Sequence, residues 1–266
     1  MKINFKNKTV WVVGASSGIG EGLIKQLAKE NCNIILSARR ENKLKNIQTS
    51  LKLSNENSLV LPLDISKSNE FDNKIDLVIS KFSSIDILIL NAGIAHKSFA
   101  EETLEEVDRR IMEVNFMGNI LLTKKVIPVM KKQGSGTIAV TSSILGKIGL
   151  PFVSTYCASK QAITGYYESL RYEVSKYNIN ITILSPGFIK TDITKNSLTA
   201  DGGIFNKDSI AQEKGMNATL CAKKMIQAIK KGKRHQYIGG LETFMPAFSF
   251  YFPRMFYFLM KKMHGI

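Results

Sequence analysis

TVWVVGASSGIG, residues 9–20, decides how the rest of the chain is read. Thr9–Val13 is an unbroken run of β-favouring residues, the pattern of a strand buried on both faces of a parallel sheet. Gly14, Gly18 and Gly20 follow at once. Apolar residues then recur at Ile19, Leu23, Leu27 and Ala28, which is helical spacing. A strand, a turn of small residues and a helix start bring backbone N–H groups close to a phosphate, where the helix dipole is positive. The spacing differs from G-x-G-x-x-G, but the glycines serve the same end.

Working outward, strand patterns recur at Asn33–Ser37, Ser58–Leu63, Ile85–Leu90, Thr137–Ser143, Asn180–Leu184 and Gln236–Gly239. Helical patterns fill the intervals: 18–30, 41–53, 67–82, one long stretch over 104–132, 154–177 and 218–231. This alternation predicts an α/β fold, a single doubly wound parallel β-sheet flanked by helices with right-handed crossovers. Residues 192–215 are polar and aperiodic, so they read as a functional or mobile loop. No repeat or linker interrupts residues 1–240, and an aromatic and basic extension occupies 241–266. Ligands of such sheets bind beyond the carboxyl ends of the strands.

The chain has 266 residues, 44% hydrophobic and 22% charged, which excludes a disordered or fibrous protein. Cys32, Cys157 and Cys221 are too scattered for a disulfide framework. His96, His235 and His264 do not cluster, so no metal site is expected. No run is long and apolar enough to span a bilayer, and the first residues lack a signal-peptide pattern, so a cytoplasmic protein is expected. The net charge is +15, mostly from lysine. Residues 214–266 alone carry ten Lys or Arg against one acid, Glu242, which suggests a local basic surface. No nucleic-acid-binding motif accompanies it.

Four residues carry chemistry. Arg39 follows the second strand where an acid would hold a ribose diol. A guanidinium–phosphate contact is worth roughly 1.5–3 kcal/mol, one to two decades of preference for NADP(H) over NAD(H). Arg40 either assists or faces water. Tyr156 and Lys160 stand at i and i+4, on one helix face. An ammonium about 5 Å from a phenol, at an effective dielectric near 20, favours the phenolate by roughly 3 kcal/mol, about two pK units. That predicts a tyrosine shifted toward neutrality and able to exchange protons with a substrate oxygen. Ser143, at the end of the fifth strand, can donate a second hydrogen bond. The adjacent Ser142 would face the opposite side.

Together these motifs resemble the short-chain dehydrogenase/reductase superfamily over roughly residues 5–240. The glycine pattern matches Gly14, Gly18 and Gly20, with Ser16, Ser17 and Ile19 in the same cofactor turn. Asp64 matches the acid near the adenine. Asn91, Ala92 and Gly93 match the Asn-Ala-Gly turn. Asn115, Ser143, Tyr156 and Lys160 match the catalytic set. Pro186 and Gly187 match the Pro-Gly turn, with Ile189 and Thr191 toward the nicotinamide carboxamide or the phosphates. Val13 stands where the family often has Thr, and Leu90 where it often has Asn, which weakens hydrogen bonding around the sheet but removes no catalytic group.

The resemblance implies a Rossmann-like catalytic domain and direct hydride transfer between nicotinamide and carbon. Tyr156 would be the acid in reduction or the base in oxidation. Lys160 would lower its pKa and hold the ribose, Ser143 would orient the substrate oxygen, and Asn115 would hold a water linking Lys160 to solvent. It also implies a homo-oligomer, a dimer or tetramer.

Residues 244–260 hold eight Phe or Tyr, interrupted by Pro246, Pro253 and Arg254 and followed by Lys261 and Lys262. Such a segment reads as a pocket lid, a subunit contact or a peripheral membrane-surface element. The first reading of function is an NADP(H)-dependent reductase or dehydrogenase of a lipid-like carbonyl: 3-oxoacyl, sphingoid, retinoid or steroid-like. The alternatives are a polar substrate in the same family, or a non-enzymatic NADP-binding scaffold.

Overall fold

The computed structural model describes residues 2–207 and 210–265; Asp208 and Ser209, inside the expected substrate loop, lie outside the described residues. Seven parallel strands form one sheet: β1 Thr9–Val13, β2 Asn33–Ser37, β3 Ser58–Val60, β4 Ile87–Leu90, β5 Gly136–Thr141, β6 Ile179–Pro186 and β9 His235–Ile238, in the order β3-β2-β1-β4-β5-β6-β9. The order reverses direction at β1, so the crevice between β1 and β4 is the switch point where such sheets take ligands.

Alternation along each strand builds two cores. Trp11 and Val13 of β1 point to the side covered by α3 (Phe71–Phe82), α5 (Gly118–Gln133) and α6 (Ser154–Val174). Val10 and Val12 point to the side covered by α1 (Gly18–Leu27), α2 (Glu41–Ser50) and α8 (Ala218–Lys230). Every residue of β1 is buried, as its unbroken run requires. The buried Trp11 indole donates to Ser37 Oγ at 2.8 Å, so the ring lies in the core with its N–H satisfied.

Several elements depart from the sequence pattern. β3 ends at Val60, but the backbone pairing runs on, with Leu61 N donating to Leu36 O and Leu63 N to Ala38 O; β3 is the edge strand, so Pro62 between them is tolerated with its nitrogen toward the open edge. β5 ends at Thr141, which leaves Ser142 and Ser143 just beyond the strand rather than in it. The long helix expected over 104–132 is broken into α4 (Glu105–Met112), a π-helical turn at Glu113–Met117, and α5.

The stretch 192–215 is not an open loop throughout. Leu198 is buried against Val107 and Ile111, and its backbone exchanges hydrogen bonds with Ala95 O and Lys97 N. β7 Ile189–Lys190 and β8 Met216–Asn217 pair across its ends, with α7 Ile210–Glu213 between them. The aromatic extension forms two helices, α9 Met245–Tyr251 and α10 Pro253–His264.

Gly14 has φ of +87°, and a Cβ there would lie 2.6 Å from the Ala92 nitrogen. The backbones of the β1 and β4 ends therefore approach too closely for any side chain. Gly14→Ala is expected to cost about 3 kcal/mol or more, from left-handed strain plus overlap with rigid backbone. A thermal melt should show Tm falling by roughly 6–12 °C; an unchanged Tm would mean the turn relaxes freely.

Candidate active site

The carboxyl ends of β1, β2, β4, β5 and β6 bring most of the sequence-derived site residues to one edge of the sheet. Asn91 ties this edge together: its Nδ2 donates to Gly14 O at 3.3 Å, and its Oδ1 accepts from Thr141 Oγ1 at 3.2 Å. Ala92 packs on Gly14. Gly93 sits where a Cβ would come within 3.3 Å of Asn115 Oδ1 and 3.4 Å of Lys160 Nζ.

Asn115 lies in the π-helical turn and is fully buried. Such single turns often mark functional positions because they re-aim a side chain within a helix. Its Oδ1 accepts from Ile94 N at 2.8 Å, and its Nδ2 donates to Ile94 O at 2.9 Å and Ser159 Oγ at 3.0 Å. Its backbone oxygen accepts from Asn119. The Asn115 side chain thus clamps Ile94, and so Gly93, beside Lys160.

Ser143 opens a 3₁₀ turn after β5, and its hydroxyl accepts from Leu145 N at 3.2 Å. Ser142 turns the other way, donating to Lys160 O at 3.0 Å and pairing with Thr164. Tyr156 stands in the first turn of α6 and Lys160 one turn on. Lys160 Nζ lies 5.6 Å from the centroid of the Tyr156 ring and donates to Thr141 O at 3.0 Å.

The electrostatics run against the i, i+4 expectation. Burial pushes the Tyr156 phenol up to about 12, with the Ser143 hydroxyl acting in the opposite direction. Burial pushes the Lys160 ammonium down to about 8. The simple Coulomb argument counted attraction and left out desolvation, which disfavours both charged forms. The ammonium also lies over the ring and is directed to a carbonyl, so it does little for a phenolate. At neutral pH the arrangement therefore holds a protonated phenol beside a cationic lysine, the form that donates a proton.

The first βα turn forms a second part of the site. Ser17 is the N-cap of α1, yet its side chain makes no capping bond to the helix. Ser16 and Ser17 instead accept from Arg40 Nη2 at 3.0 and 3.1 Å. A cavity of about 430 Å³ is lined here by Ser16, Ser17, Gly18, Arg40, Lys43 and Asp192, among others. A helix start without a side-chain cap fits the phosphates of a dinucleotide, and the cavity beside it carries Arg40 and Lys43 together with the carboxylates of Glu21 and Asp192. The sequence pattern singles out Arg39; the structure leaves Arg39 exposed near Asp64 and places Arg40 on the serines. Lys43 has no counterpart among the sequence expectations, because a helix lysine carries no motif.

Burial raises the Asp64 carboxyl, but hydrogen bonds from the Ser66 hydroxyl and amide, and the charges of Arg39 and Lys67, outweigh it and lower the pKa overall. Ile189 is buried. Thr191 leans on the turn, its methyl 3.1 Å from where a Gly18 Cβ would sit. Pro186 closes β6, and the Gly187 amide donates to Ile238 O at 2.8 Å.

Glu242 is a further residue that no motif announced. Its Oε1 accepts from Phe188 N at 3.1 Å and Gly240 N at 3.0 Å, and a Cβ on Gly187 would lie only 2.3 Å from it. The C-terminal extension is thereby fastened to the Pro186–Gly187 turn. Beyond this anchor, α10 and the start of α6 enclose a cavity of about 820 Å³ whose lining includes Leu150, Cys157, Phe256, Tyr257 and Met260.

Residues 8–202 match the family model described as short chain dehydrogenase. The chain is 37% identical over 226 residues to a Drosophila melanogaster dehydrogenase/reductase SDR family protein 7-like, covering 84% of this chain and 69% of the fly protein. Among solved structures, a short chain dehydrogenase/reductase from Burkholderia phymatum in complex with NAD superposes with a TM-score of 0.81 at 20% identity, covering 92% of each chain. A 3-ketoacyl-(acyl-carrier-protein) reductase from Brucella melitensis complexed with NADH gives 0.78 at 23% identity, over 90% of this chain and all of that one.

Proposed function

Because the chain belongs to the short chain dehydrogenase family, and so to a family of oxidoreductases, we propose that it reduces a ketone to a secondary alcohol with NADP(H) on an apolar, lipid-like substrate. The observation that carries the reading is the protonated Tyr156 phenol beside Ser143 and Lys160 at the carboxyl edge of the sheet. A nicotinamide cofactor held at the first βα turn would supply the hydride. Tyr156 Oη donates the proton to the substrate oxygen, and Ser143 Oγ holds that oxygen in place. Lys160, cationic below about pH 8, would hold the ribose hydroxyls of the cofactor and keep a positive charge one helical turn from Tyr156. The protonated phenol is the form that the acid role in reduction requires.

Cofactor choice rests on Arg39, Arg40 and Lys43. No acid directly follows β2, and Arg40 already reaches across the turn to Ser16 and Ser17. Arg40→Ala is expected to raise the Kd for NADPH roughly 10- to 100-fold, the worth of a charged hydrogen bond. NADH binding should move little, and Arg39→Ala should have the smaller effect. Wild-type protein binding NADH as tightly as NADPH would overturn the preference.

The apolar substrate class is supported by the aromatic C-terminal extension fastened beside the Pro186–Gly187 turn; the cavity it walls is lined by Cys157, Ala158 and Gln161 of α6, and not by Ser143, Tyr156 or Lys160. Turnover with NADPH should therefore rise along a series of ketones of increasing chain length. Faster turnover of small polar carbonyls would instead favour a polar substrate. Tight NADPH binding with no turnover of any carbonyl would leave a cofactor-binding scaffold.

A further inference from the structure

The C-terminal helices keep their outward face uncovered, and we propose that this face docks on an anionic lipid surface. α10 turns Phe256 and Met260 inward onto Ile148. Helical geometry puts Phe258 on the opposite side, with Arg254 and Lys262 four residues before and after it. Phe258 is 69% exposed, and Phe250 of α9 is 77% exposed. Residues 243–266 contain no acidic side chain. Glu242, just before them, is engaged by the amides of Phe188 and Gly240. Within residues 243–266 the exposed aromatic rings are accompanied by cations and by no acid.

The charge pattern selects the occupant. A two-fold contact between copies would set this patch against itself. Arg254, Lys261 and Lys262 would then find no acid of residues 243–266 on the other copy to pair with. An anionic bilayer supplies the opposite charge, receives the rings at the headgroup boundary and leaves Lys and Arg at the phosphates. The remaining basic excess of the C-terminal region belongs elsewhere: α8 packs against α1, and its Lys230 pairs with Glu30 at 2.6 Å. The docking face also borders the apolar cavity, since Phe256, Tyr257 and Met260 line it from the same helix.

Co-flotation of the full chain tests this, using phosphatidylcholine vesicles with and without phosphatidylserine. Wild-type protein should float with the serine-lipid vesicles at least about tenfold more than with phosphatidylcholine alone, and raised salt should release it. The double variant Phe250→Glu with Phe258→Glu alters two exposed rings, so it should keep the wild-type Tm and drop to background flotation. Lys261→Glu with Lys262→Glu should abolish the preference for phosphatidylserine. Wild-type protein that ignores both vesicles overturns the proposal, as does a ring variant that floats like wild type. A wild-type dimer that the ring variant converts to monomer, with no vesicle binding by either, would overturn it in favour of contact between copies.

Discussion

Tyr156→Phe will lower kcat/KM for carbonyl reduction by about two to four orders of magnitude, the usual worth of a positioned proton donor. The same variant should bind NADPH within about threefold of wild type, because the ring and the cofactor turn remain in place. The reason is geometric. Removing one oxygen leaves the Ser143 hydroxyl as donor to the substrate oxygen, but no group in that position with a proton to transfer. Ser143→Ala should cost less, because it removes a hydrogen bond and not the proton. The measurement is steady-state kinetics beside a fluorescence titration of NADPH. If Tyr156→Phe retains more than about a tenth of wild-type kcat/KM, the proton comes from elsewhere.

This prediction rests on residues that could be read before any coordinates. Strand β1 and the glycines after it were legible because a buried parallel strand must be apolar throughout, and because Gly14 approaches Ala92 too closely for a side chain. Tyr156 and Lys160 were legible because helical spacing puts them on one face. What stayed hidden depends on contacts that sequence spacing does not encode. The π-helical turn at Asn115 adds a residue to a helix whose apolar period looks continuous, and only the Ile94 backbone explains it. Arg40 and Arg39 are adjacent, and the turn geometry after β2 decides which one reaches Ser16 and Ser17. Glu242 reads as the lone acid of a basic region, but its carboxylate answers the amides of Phe188 and Gly240, which are far apart in the chain. The sign of the tyrosine shift is set by the burial of both side chains, which their spacing in the sequence does not encode.

That burial leads to the second large effect, in which activity and stability move in opposite directions. Lys160 is only 4% exposed, and its ammonium meets a carbonyl, a neutral partner. Its folded pKa, about 8, lies below its ordinary 10.5. Between those values the unfolded chain binds more protons than the folded one, so stability rises as pH increases through that window. Below about pH 8 the folded state carries the whole penalty, at most about 3 kcal/mol. Lys160→Met removes the penalty and loses one hydrogen bond worth about 1 kcal/mol. The variant should be about 1–2 kcal/mol more stable at pH 7, with Tm higher by roughly 2–6 °C. Its advantage should vanish by about pH 10, where the wild-type amine is already neutral. Turnover should fall by about 10²–10³-fold, because the cation that would hold the cofactor ribose next to Tyr156 is gone. Denaturant melts at pH 7 and pH 10, run with the same preparations used for kinetics, test both halves. If Lys160→Met is less stable than wild type at pH 7, by a margin unchanged at pH 10, the buried charge is compensated and Lys160 serves the fold as well as the reaction.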